Sequence, residues 1–461
     1  YICVGPHVPH PISTTPSFRE EIWSDAVYKL IQDFSSQGVS CSMGRWNIPG
    51  TTKVLLVGFK ELFHQKDRIL AHYWEHYGVE SLFGGYDYAE PVLFAHASSL
   101  LIEQISNRLL LSEGKRVLVH AHEWMTSVAL LHLKETCPDI ATVFTTHATI
   151  LGRSLSSRDH QKGLDSYLAS KPAAIWAREA GVESKHSVEV ISAREADCFT
   201  TVSETTSDEC GQILGKKADI VVHNGLSDDI PNPEFLDLGL RKKMRHRMLQ
   251  IATEVTGFHY DSDHTFMMVT SGRYEFRNKG IDLFIDAALD LKDSLQNADS
   301  KKKVLAFVMC PAGHGQRVFP QAENAFATHV IADPLHDPLL ALLSYRSHVN
   351  SAASPVHVIF LPLYLNGTDL TLPETYWELA SGMDLGVFGS WYEPWGYTPH
   401  ESVALGLPTC TTDCAGFGRW VQSLPGSIKD KGVLVINRAH GESSHSYDDI
   451  RLVLKKHILE I

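Results

Sequence analysis

The sequence lacks any apolar run long enough to cross a membrane, and it lacks an excess of basic residues. No uninterrupted apolar stretch reaches the roughly 18–20 residues that a membrane helix requires, and the first residues carry no signal-peptide pattern. The 461 residues include 41 Lys and Arg against 54 Asp and Glu, a net charge of −13. This acidic balance argues against nucleic acid or a membrane as partner. Any bound anion must therefore be held by a few local cations and backbone N–H groups.

Cysteine is scarce, and no two cysteines form a Cys-x-x-Cys pair. A chain of this length builds a large core without disulfide bonds, so we expect reduced thiols in a cytoplasmic protein. Internal repeats and low-complexity tracts are also absent from the sequence. The eight cysteines are Cys3, Cys41, Cys137, Cys198, Cys210, Cys310, Cys410 and Cys414.

Short apolar runs alternate with helix-like stretches along the chain, which is typical of parallel α/β folds. The length indicates two domains of roughly 150–250 residues each. We therefore predict an α/β protein with two Rossmann-like domains, residues 1–226 and 227–461, facing a central cleft. The predicted strands are Tyr1–Val4, Val54–Val57, Val117–Val119, Thr142–Thr145, Cys198–Val202, Asp219–Val222, Phe266–Val269, Val304–Val308, Val356–Phe360, Leu385–Phe388, Thr409–Thr411 and Val433–Ile436.

Two stretches of the second domain carry little information about function. The basic run Arg241–Arg247 lies in a polar, helix-rich segment, and we interpret it as a solvated helix face. Residues 311–333 show no clear periodicity and are predicted to form loops.

Basic residues follow one predicted strand of the second domain. In doubly wound sheets, ligands bind beyond the carboxyl ends of the strands, so motifs that directly follow strands are the candidates for chemistry. Arg273, Arg277 and Lys279 lie in such a position, ahead of a helix that begins at Gly280. The Arg fork and the mobile Lys ammonium suit a diphosphate. The alternative is a surface loop whose cations pair with nearby acids.

A second anion-binding feature is predicted after the strand Leu385–Phe388. Thr398 is predicted as the N-cap and Pro399 as the first residue of a helix. The turn Trp395–Tyr397 would then direct backbone N–H groups and the helix N-terminus at a ligand beyond the strand. This turn is therefore a candidate anion site.

Two carboxylates flank the same turn. Glu393 precedes the helix, and Glu401 is predicted to lie in its first turn. A carboxylate repels an anion, so we expect both side chains to accept hydrogen bonds from sugar or ribose hydroxyls. The alternative is that Glu401 only interacts favourably with the helix dipole and that Glu393 is a turn residue.

Histidines follow two predicted strands of the first domain. His147 lies at the end of Thr142–Thr145, where it either faces a ligand or has a structural role. His120, His122 and Glu123 follow Val117–Val119. No further ligand follows them at helical spacing, so we expect no zinc site there and place His122 at the start of a helix bordering the cleft.

Six motifs, in the same order, resemble those of the eukaryotic-type glycogen synthases. The string Tyr392–Pro399 is specific by itself, and the similarity extends over most of the sequence. The matching segments are His122–Trp124, Thr145–Arg153, Phe199–Ser203, Asn224–Leu226, Gly272–Gly280 and Tyr392–Pro399.

The resemblance implies a retaining, metal-independent glycosyltransferase of the B type (GT-B) without a cofactor. By position, Arg273 and Lys279 would hold the diphosphate of the donor and stabilise it as the leaving group. Glu393 would lie near the glucose hydroxyls, and His147 would contact the transferred glucose. The same motifs place Glu401 near the ribose. Further substrate-binding positions that they imply are Trp395, Gly396, Tyr397, Thr398, His122, Arg153 and Asn224.

The implied donor is UDP-glucose or ADP-glucose, and the implied acceptor is glycogen or another α-glucan. A homo-oligomer is possible, but its oligomeric state cannot be inferred from the family. The helical insertion that is tied to the family's tetramer is largely missing between Val308 and His329. The resemblance further implies a strand and a Lys-x-Gly-Gly loop ahead of Tyr1, and a regulatory arginine-rich helix near Ile461. We expect both chain ends to be cut.

Three other functions were weighed against the glucan synthase. One is a retaining transferase with another acceptor, and another is a non-catalytic glucan-binding or scaffold protein of the same fold. A glucan phosphorylase is disfavoured because no lysine lies in a recognisable pyridoxal-phosphate motif. The presence of Arg273, Lys279 and Glu393 together favours an enzyme, because charged cleft residues cost stability and are lost when they have no use.

Overall fold

The computed structural model describes residues 2–6, 18–35, 39–47, 50–158, 164–227, 233–297, 302–322, 324–346, 349–427 and 431–438. The chain divides into two compact units. Unit 1 comprises Tyr1–Arg158 and Leu164–His223, and unit 2 begins at Asn224. Within the described residues, no helix combines the length and the apolar character that a membrane span needs.

Unit 1 contains two four-stranded sheets. Its strands are β1 (Ile2–Pro6), β2 (Phe18–Glu20), β3 (Cys41–Trp46), β4 (Lys53–Val57), β5 (Leu118–His122), β6 (Ala141–Thr146), β7 (Cys198–Thr201) and β8 (Ile220–Val221). Its helices are α1 (Asp25–Ser35), α2 (Lys66–Tyr77), α3 (Tyr86–Ile105), α4 (Trp124–Thr136), α5 (Ile150–Arg158), α6 (Leu164–Leu168), α7 (Ala173–Glu179), α8 (Glu183–Glu195) and α9 (Glu204–Ile213).

The two sheets of unit 1 differ in direction. The first has the order β1-β4-β3-β2, in which only β1 and β4 are parallel. The second has the order β5-β6-β7-β8 and is parallel throughout, with His122 opposite Thr145 in register. Its core includes Phe144 and Phe199, whose stacked rings lie 5.6 Å apart. The carboxyl ends of β5 and β6 are therefore neighbours, and this places the histidine motifs together.

Unit 2 is built around a six-stranded parallel sheet and a small antiparallel pair. Its strands are β9 (Thr265–Ser271), β10 (Lys303–Met309), β11 (His314–Arg317), β12 (His329–Ile331), β13 (Val356–Leu361), β14 (Leu385–Val387), β15 (Thr409–Thr412) and β16 (Val433–Ile436). Its helices are α10 (Leu238–Thr256), α11 (Ile281–Leu289), α12 (Leu291–Asn297), α13 (Pro338–Tyr345), α14 (Tyr376–Ser381), α15 (Tyr397–Ala404) and α16 (Gly416–Ser423).

The six-stranded sheet is buried on both faces. Along β10, Val304, Ala306 and Val308 pack into the core that contains α11, while Leu305 and Phe307 pack into the core that contains α10. This alternation explains why the strands read as continuous apolar runs, as strands covered by helices on both faces do.

The strand order of unit 2 reverses between β9 and β14. The order is β13-β10-β9-β14-β15-β16. The strands that follow β9 in the chain, β10 and β13, lie on one side of it, and the later strands β14, β15 and β16 lie on the other side. Such a switch point leaves a crevice at the carboxyl ends of the two strands, where ligands bind in doubly wound sheets. The loops that follow β9 and β14 therefore meet at one place.

Each of the twelve predicted strands overlaps a strand of the structure, but four other strands among the described residues were missed. β2 was missed because it has only three residues, and β3 was missed because it contains Gly44 and has no clear apolar alternation. The predicted loop at residues 311–333 is partly wrong, because it contains β11 and β12. Both of these strands are short and pair only with each other, so they leave little periodicity in the sequence.

Candidate active site

The loop after β9 is held by contacts on both sides of its cations. Gly272 has φ +134°, a conformation that side chains rarely adopt, and allows the sharp turn out of the strand. Next to it, the Tyr274 hydroxyl donates to the Asp337 carboxylate at 2.9 Å. The backbone N–H of Lys279 donates to the Glu275 carbonyl at 2.8 Å. The loop is thus a preformed series of turns.

Each of the three cations of this loop has an acidic partner. The Lys279 ammonium pairs with Glu393, and both side chains are largely buried, at 13% and 16% exposed. Arg273, which is 58% exposed, pairs with Glu275 at 2.7 Å, and Arg277 pairs with the buried Asp282. Arg273 and Arg277 thus pair with nearby acids, as the surface-loop alternative predicts for the protein without a ligand. The Lys279–Glu393 pair is different, because it joins the two loops at the switch point.

The loop after β14 is fixed by backbone contacts to the segment that follows β15. The Glu393 carbonyl accepts from Gly416 N–H at 3.0 Å, and the Trp395 carbonyl accepts from Phe417 N–H at 2.7 Å. The Trp395 side chain is 4% exposed and packs edge-on against Phe417, with ring centroids 5.8 Å apart. Trp395 therefore shapes this turn from the core.

Helix α15 begins earlier than predicted. Its N-cap is Gly396, with φ +104°, and its first residue is Tyr397. The prediction that Thr398 is the N-cap is wrong, because glycine at φ +104° turns the chain two residues sooner. For the same reason Glu401 lies two residues further into the helix than predicted, as its fifth residue. The backbone N–H groups of Tyr397 and Thr398 occupy the helix N-terminus, where a bound anion is stabilised.

Glu401 is half-buried and lies near the hydroxyls of Tyr376 and Tyr397. Burial raises the pKa of its carboxyl to about 7. Burial, with a smaller contribution from the Glu401 charge, raises the pKa of Tyr376 and of Tyr397. The Ser271 hydroxyl at the end of β9 donates to the Tyr376 oxygen at 3.1 Å. A half-buried carboxylate near the N-terminus of α15 is suited to accept hydrogen bonds from ligand hydroxyls.

Two glycines bring the loops after β9 and β14 into backbone contact. Gly280 has φ +66°, and a Cβ added there would lie 2.2 Å from the Gly389 carbonyl oxygen. The Trp391 N–H also donates to the Asn278 carbonyl at 2.8 Å. Because Gly280 directly follows Lys279, this contact fixes the distance between Lys279 and the second loop.

We expect Gly280→Ala to lower the free energy of unfolding by about 3 kcal/mol, through the left-handed backbone and the overlap with Gly389. Turnover should also fall, because Lys279 is displaced. Gly432→Ala is the matched control: Gly432 has φ +65° but no atom within 4 Å of an added Cβ. It should cost about 1 kcal/mol and leave turnover unchanged. Equal losses of stability in chemical denaturation of the two variants would contradict this account.

Unit 1 brings its predicted histidines together at the ends of β5 and β6. His122 Nδ1 and His147 Nε2 are hydrogen-bonded at 2.9 Å, and the rings of His120 and His122 lie 4.1 Å apart. Burial, with the neighbouring imidazoles, lowers the pKa of His122 to about 4, and burial also lowers the pKa of His147. Both rings are therefore neutral at neutral pH, so one donates the hydrogen bond and the other accepts it.

Glu123 links the two histidine motifs. Its carboxylate accepts the backbone N–H of His147 at 3.0 Å, and its own N–H donates to the Thr145 carbonyl at 2.8 Å. Its backbone has φ +64°, which is unusual for a residue with a side chain. Arg153, on α5, lowers the pKa of Glu123 while burial raises it more strongly. Arg153 is thus electrostatically coupled to this motif.

Sequence reasoning missed two buried carboxylates that hold the His147 loop. Glu189 accepts from Ile150 N–H at 3.0 Å and from Thr146 Oγ1 at 2.8 Å, and its pKa is raised to about 8 by burial. Glu209 accepts from Thr149 N–H at 3.3 Å. The sequence signal for them is a carboxylate beside apolar residues: Glu189 lies between Val188 and Val190 on α8, and Glu209 precedes Cys210 on α9.

The two groups of predicted residues lie in different units. Unit 1 holds His122, His147 and Arg153, whereas unit 2 holds the basic loop, Glu393, Glu401 and the α15 turn. Asn224 is the first residue of unit 2 and is half-buried. The role of each residue toward a ligand, and the common cleft, stay predictions.

A family sequence model and several curated proteins match most of this chain. The sequence model of the glycogen synthase family matches residues 1–319 and 316–459. Glycogen (starch) synthase of Neurospora crassa is 28% identical and covers 95% of this chain and 70% of its own. Isoform 2 of the enzyme from Saccharomyces cerevisiae is 28% identical and covers 94% and 72%. The human liver enzyme is 27% identical and covers 95% and 70%.

Solved structures show the fold. An α,α-trehalose-phosphate synthase (UDP-forming) from Burkholderia xenovorans aligns over 99% of this chain and 91% of its own, with a TM-score of 0.52 and 12% identity. The corresponding synthase from Burkholderia multivorans aligns over 99% and 88%, with a TM-score of 0.51 and 11% identity. The predicted fold of a GT-B glycosyltransferase is confirmed.

Proposed function

The chain belongs to the glycogen synthase family, and we propose that it transfers glucose from UDP-glucose to the non-reducing end of an α-1,4-glucan, with retention at the anomeric carbon. A nucleotide-sugar donor and a glucan acceptor follow from the family. The observation that supports the assigned site is the meeting of Lys279, Glu393 and the α15 N-terminus at the switch point of unit 2.

The reaction builds up charge of both signs. As the bond between the sugar and the diphosphate breaks, negative charge grows on the leaving oxygen and positive charge on the sugar ring. Arg273, Lys279 and the N–H groups of Tyr397 and Thr398 stabilise the leaving diphosphate. These groups supply the positive charge that a metal ion supplies in other transferases, so the transfer needs no metal and no cofactor.

Donor binding affects the two ion pairs, Arg273–Glu275 and Lys279–Glu393, differently. Arg273 is exposed and can exchange Glu275 for phosphate oxygens without loss of a buried contact. Lys279 keeps Glu393 beside it while it receives the diphosphate, so Glu393 is held close to the neighbouring glucose and accepts from its hydroxyls. Glu401 accepts from the ribose hydroxyls. In this arrangement, carboxylates of the protein accept hydrogen bonds from the sugar hydroxyls, and cationic side chains donate to the phosphates.

The histidines of unit 1 are suited to hydrogen-bond a sugar. A neutral His147 offers hydrogen bonds to a sugar hydroxyl without adding charge near the developing oxocarbenium ion. The carboxylates of Glu123, Glu189 and Glu209 hold its loop by accepting hydrogen bonds from backbone N–H groups. His122 orients the imidazole of His147 through their mutual hydrogen bond.

A donor screen with glycogen as acceptor tests the function. The full chain is incubated with radiolabelled UDP-glucose or ADP-glucose, and label incorporated into the glucan is measured. We expect incorporation from UDP-glucose to exceed that from ADP-glucose, and the product to be released by an α-1,4-specific glucosidase. Binding of glycogen without incorporation from either donor would favour the non-catalytic glucan-binding alternative, and incorporation only into other acceptors would favour another transferase.

Transfer is expected to survive chelation of divalent metals. In the presence of excess EDTA, the initial rate should stay within about twofold of the untreated rate, because side-chain cations and a helix N-terminus neutralise the leaving group. The measurement is UDP release with and without EDTA and added Mg²⁺. Strict dependence on Mg²⁺ or Mn²⁺ would overturn the assignment of Arg273 and Lys279.

The setting of this chemistry is the cytoplasm, with the cysteines reduced. All eight cysteines are unpaired in the structure. We also propose that the chain forms a homo-oligomer. Sedimentation of the full chain measures its oligomeric state.

A further inference from the structure

A group of two histidines and one glutamate lies in unit 1, away from the candidate active site. One ligand atom each from His72, His76 and Glu135 lies within 4.8 Å of the others. His72 and His76 belong to α2, and Glu135 belongs to the last turn of α4. We propose that these three side chains bind a divalent transition-metal ion, and that the ion is Zn²⁺.

The spacing within α2 suits a shared ligand. Residues four apart lie on one face of a helix, and the rings of His72 and His76 are 4.1 Å apart. The third group approaches from α4, with His72 Nε2 and Glu135 Oε2 at 2.9 Å. In a tetrahedral zinc site the ligand atoms are about 3.4 Å apart. His72 is partly buried, and His76 and Glu135 are exposed residues at the surface, so small rotamer changes bring the three side chains to this spacing.

The surrounding contacts are those of a prepared site. His76 Nδ1 contacts the His72 carbonyl at 2.9 Å and can only donate to it, which leaves Nε2 as the nitrogen with a free lone pair. Metal-bound histidines are usually held by such a bond from the second ring nitrogen. The Tyr77 hydroxyl donates to the Leu131 carbonyl at 2.8 Å and fixes the end of α2 against α4. The relative position of the two helix segments that carry these side chains is therefore held before a metal binds, and only the side chains need to adjust.

The donor set selects the class of ion. Two imidazoles and one carboxylate suit Zn²⁺, whereas Mg²⁺ and Ca²⁺ prefer sets made of oxygen atoms only. Three protein ligands with a fourth position for water is a common zinc arrangement. The two nearby histidines, His96 and His132, already have partners: Tyr73 at 2.7 Å and Glu103 at 3.0 Å. The proposed site is therefore limited to the three residues.

The ion has no part in the transfer chemistry. Glu135 lies eleven residues after Trp124, the first residue of α4, so it is roughly 16 Å along the helix from the His122–Glu123 end. At that distance the ion joins α2 to α4 and stabilises unit 1. In the metal-free protein, the hydrogen bond between His72 and Glu135 lies where Zn²⁺ would bind. This inference is independent of the proposed function.

Zinc titration of the EDTA-treated and dialysed full chain tests the proposal. Isothermal calorimetry should show one site per chain that is lost or weakened about tenfold or more in His76→Ala and in Glu135→Gln. His336→Ala is the matched control, because His336 is 82% exposed and pairs with Asp333 outside the group. The control should bind Zn²⁺ as the parent does. Equal binding by all four proteins would show adventitious sites elsewhere among the 25 histidines and overturn the proposal.

Thermal melting provides the second measurement. Zinc should raise the melting temperature of the parent and of His336→Ala but not that of His76→Ala, because an ion bound only to the folded state stabilises it. The melting temperature of His76→Ala in EDTA should match that of the parent in EDTA, which shows that the variant folds. Glucosyl transfer should be the same for the parent and His76→Ala. A zinc-induced shift of equal size in His76→Ala would contradict the site.

Discussion

Replacing Arg273 by alanine is expected to lower turnover on glycogen by about 10²-fold or more and to weaken UDP binding. Arg273 presents a charge-assisted fork to the diphosphate, and that contact strengthens as the leaving group gains negative charge. The side chain is 58% exposed and its partner Glu275 is 31% exposed, so its removal leaves no buried charge behind. Steady-state kinetics and calorimetry of UDP binding measure the two effects.

Lys279→Ala should produce a similar loss, with an added cost in stability. The variant leaves Glu393, whose side chain is 16% exposed, without its cation. The double variant Lys279→Ala/Glu393→Gln should recover part of the melting temperature but no activity. Lys242→Ala, an exposed lysine on α10 of the same unit, is the control and should behave as the parent. Unchanged turnover in both Arg273→Ala and Lys279→Ala would place the diphosphate elsewhere.

Glu393→Gln is expected to separate binding from chemistry. The amide keeps the shape of the carboxylate, and the residue contacts the sugar and not the phosphates. UDP should therefore bind at least as tightly as to the parent, because Lys279 no longer shares its charge with a carboxylate. Turnover should fall by about 10²-fold or more, because only contacts that strengthen in the transition state change the chemical step.

The contrast between the two kinds of variant decides the roles. Calorimetry with UDP and turnover on glycogen are measured for Glu393→Gln and Arg273→Ala side by side. Loss of UDP binding in Glu393→Gln with normal binding in Arg273→Ala would reverse the two assignments. Normal transfer in both variants would show that the active site lies elsewhere in the chain.

Local sequence patterns were sufficient to locate most strands and the site motifs. Apolar runs such as Val304–Val308 and Val356–Phe360 are long enough to be recognised as buried strands. The helix after Gly280 was predicted because the glycine and the following apolar spacing are adjacent in the chain. The N-terminus of α15 was misplaced by two residues, because the left-handed conformation of Gly396 could not be told from that of an ordinary turn residue.

The basic run on α10 shows where local patterns are insufficient. It was interpreted as a solvated helix face, but Arg245 forms a salt bridge to Asp384 at 2.7 Å and Arg247 forms one to Glu374 at 2.6 Å. Both arginines are only about one-fifth exposed. Their partners lie more than a hundred residues away in the chain, so the period of the helix carried no sign of them.

The sequence by itself determined the family, the α/β class and the residues to examine, because motifs and strand periodicity are properties of neighbouring residues. The tertiary structure decided which of these residues meet. Lys279 and Glu393 are 114 positions apart and pair because the strand order reverses between β9 and β14. His72 and Glu135 are 63 positions apart and meet because α2 packs beside α4. Strand order and helix packing follow from how whole apolar faces are buried against each other, and that burial involves the entire unit.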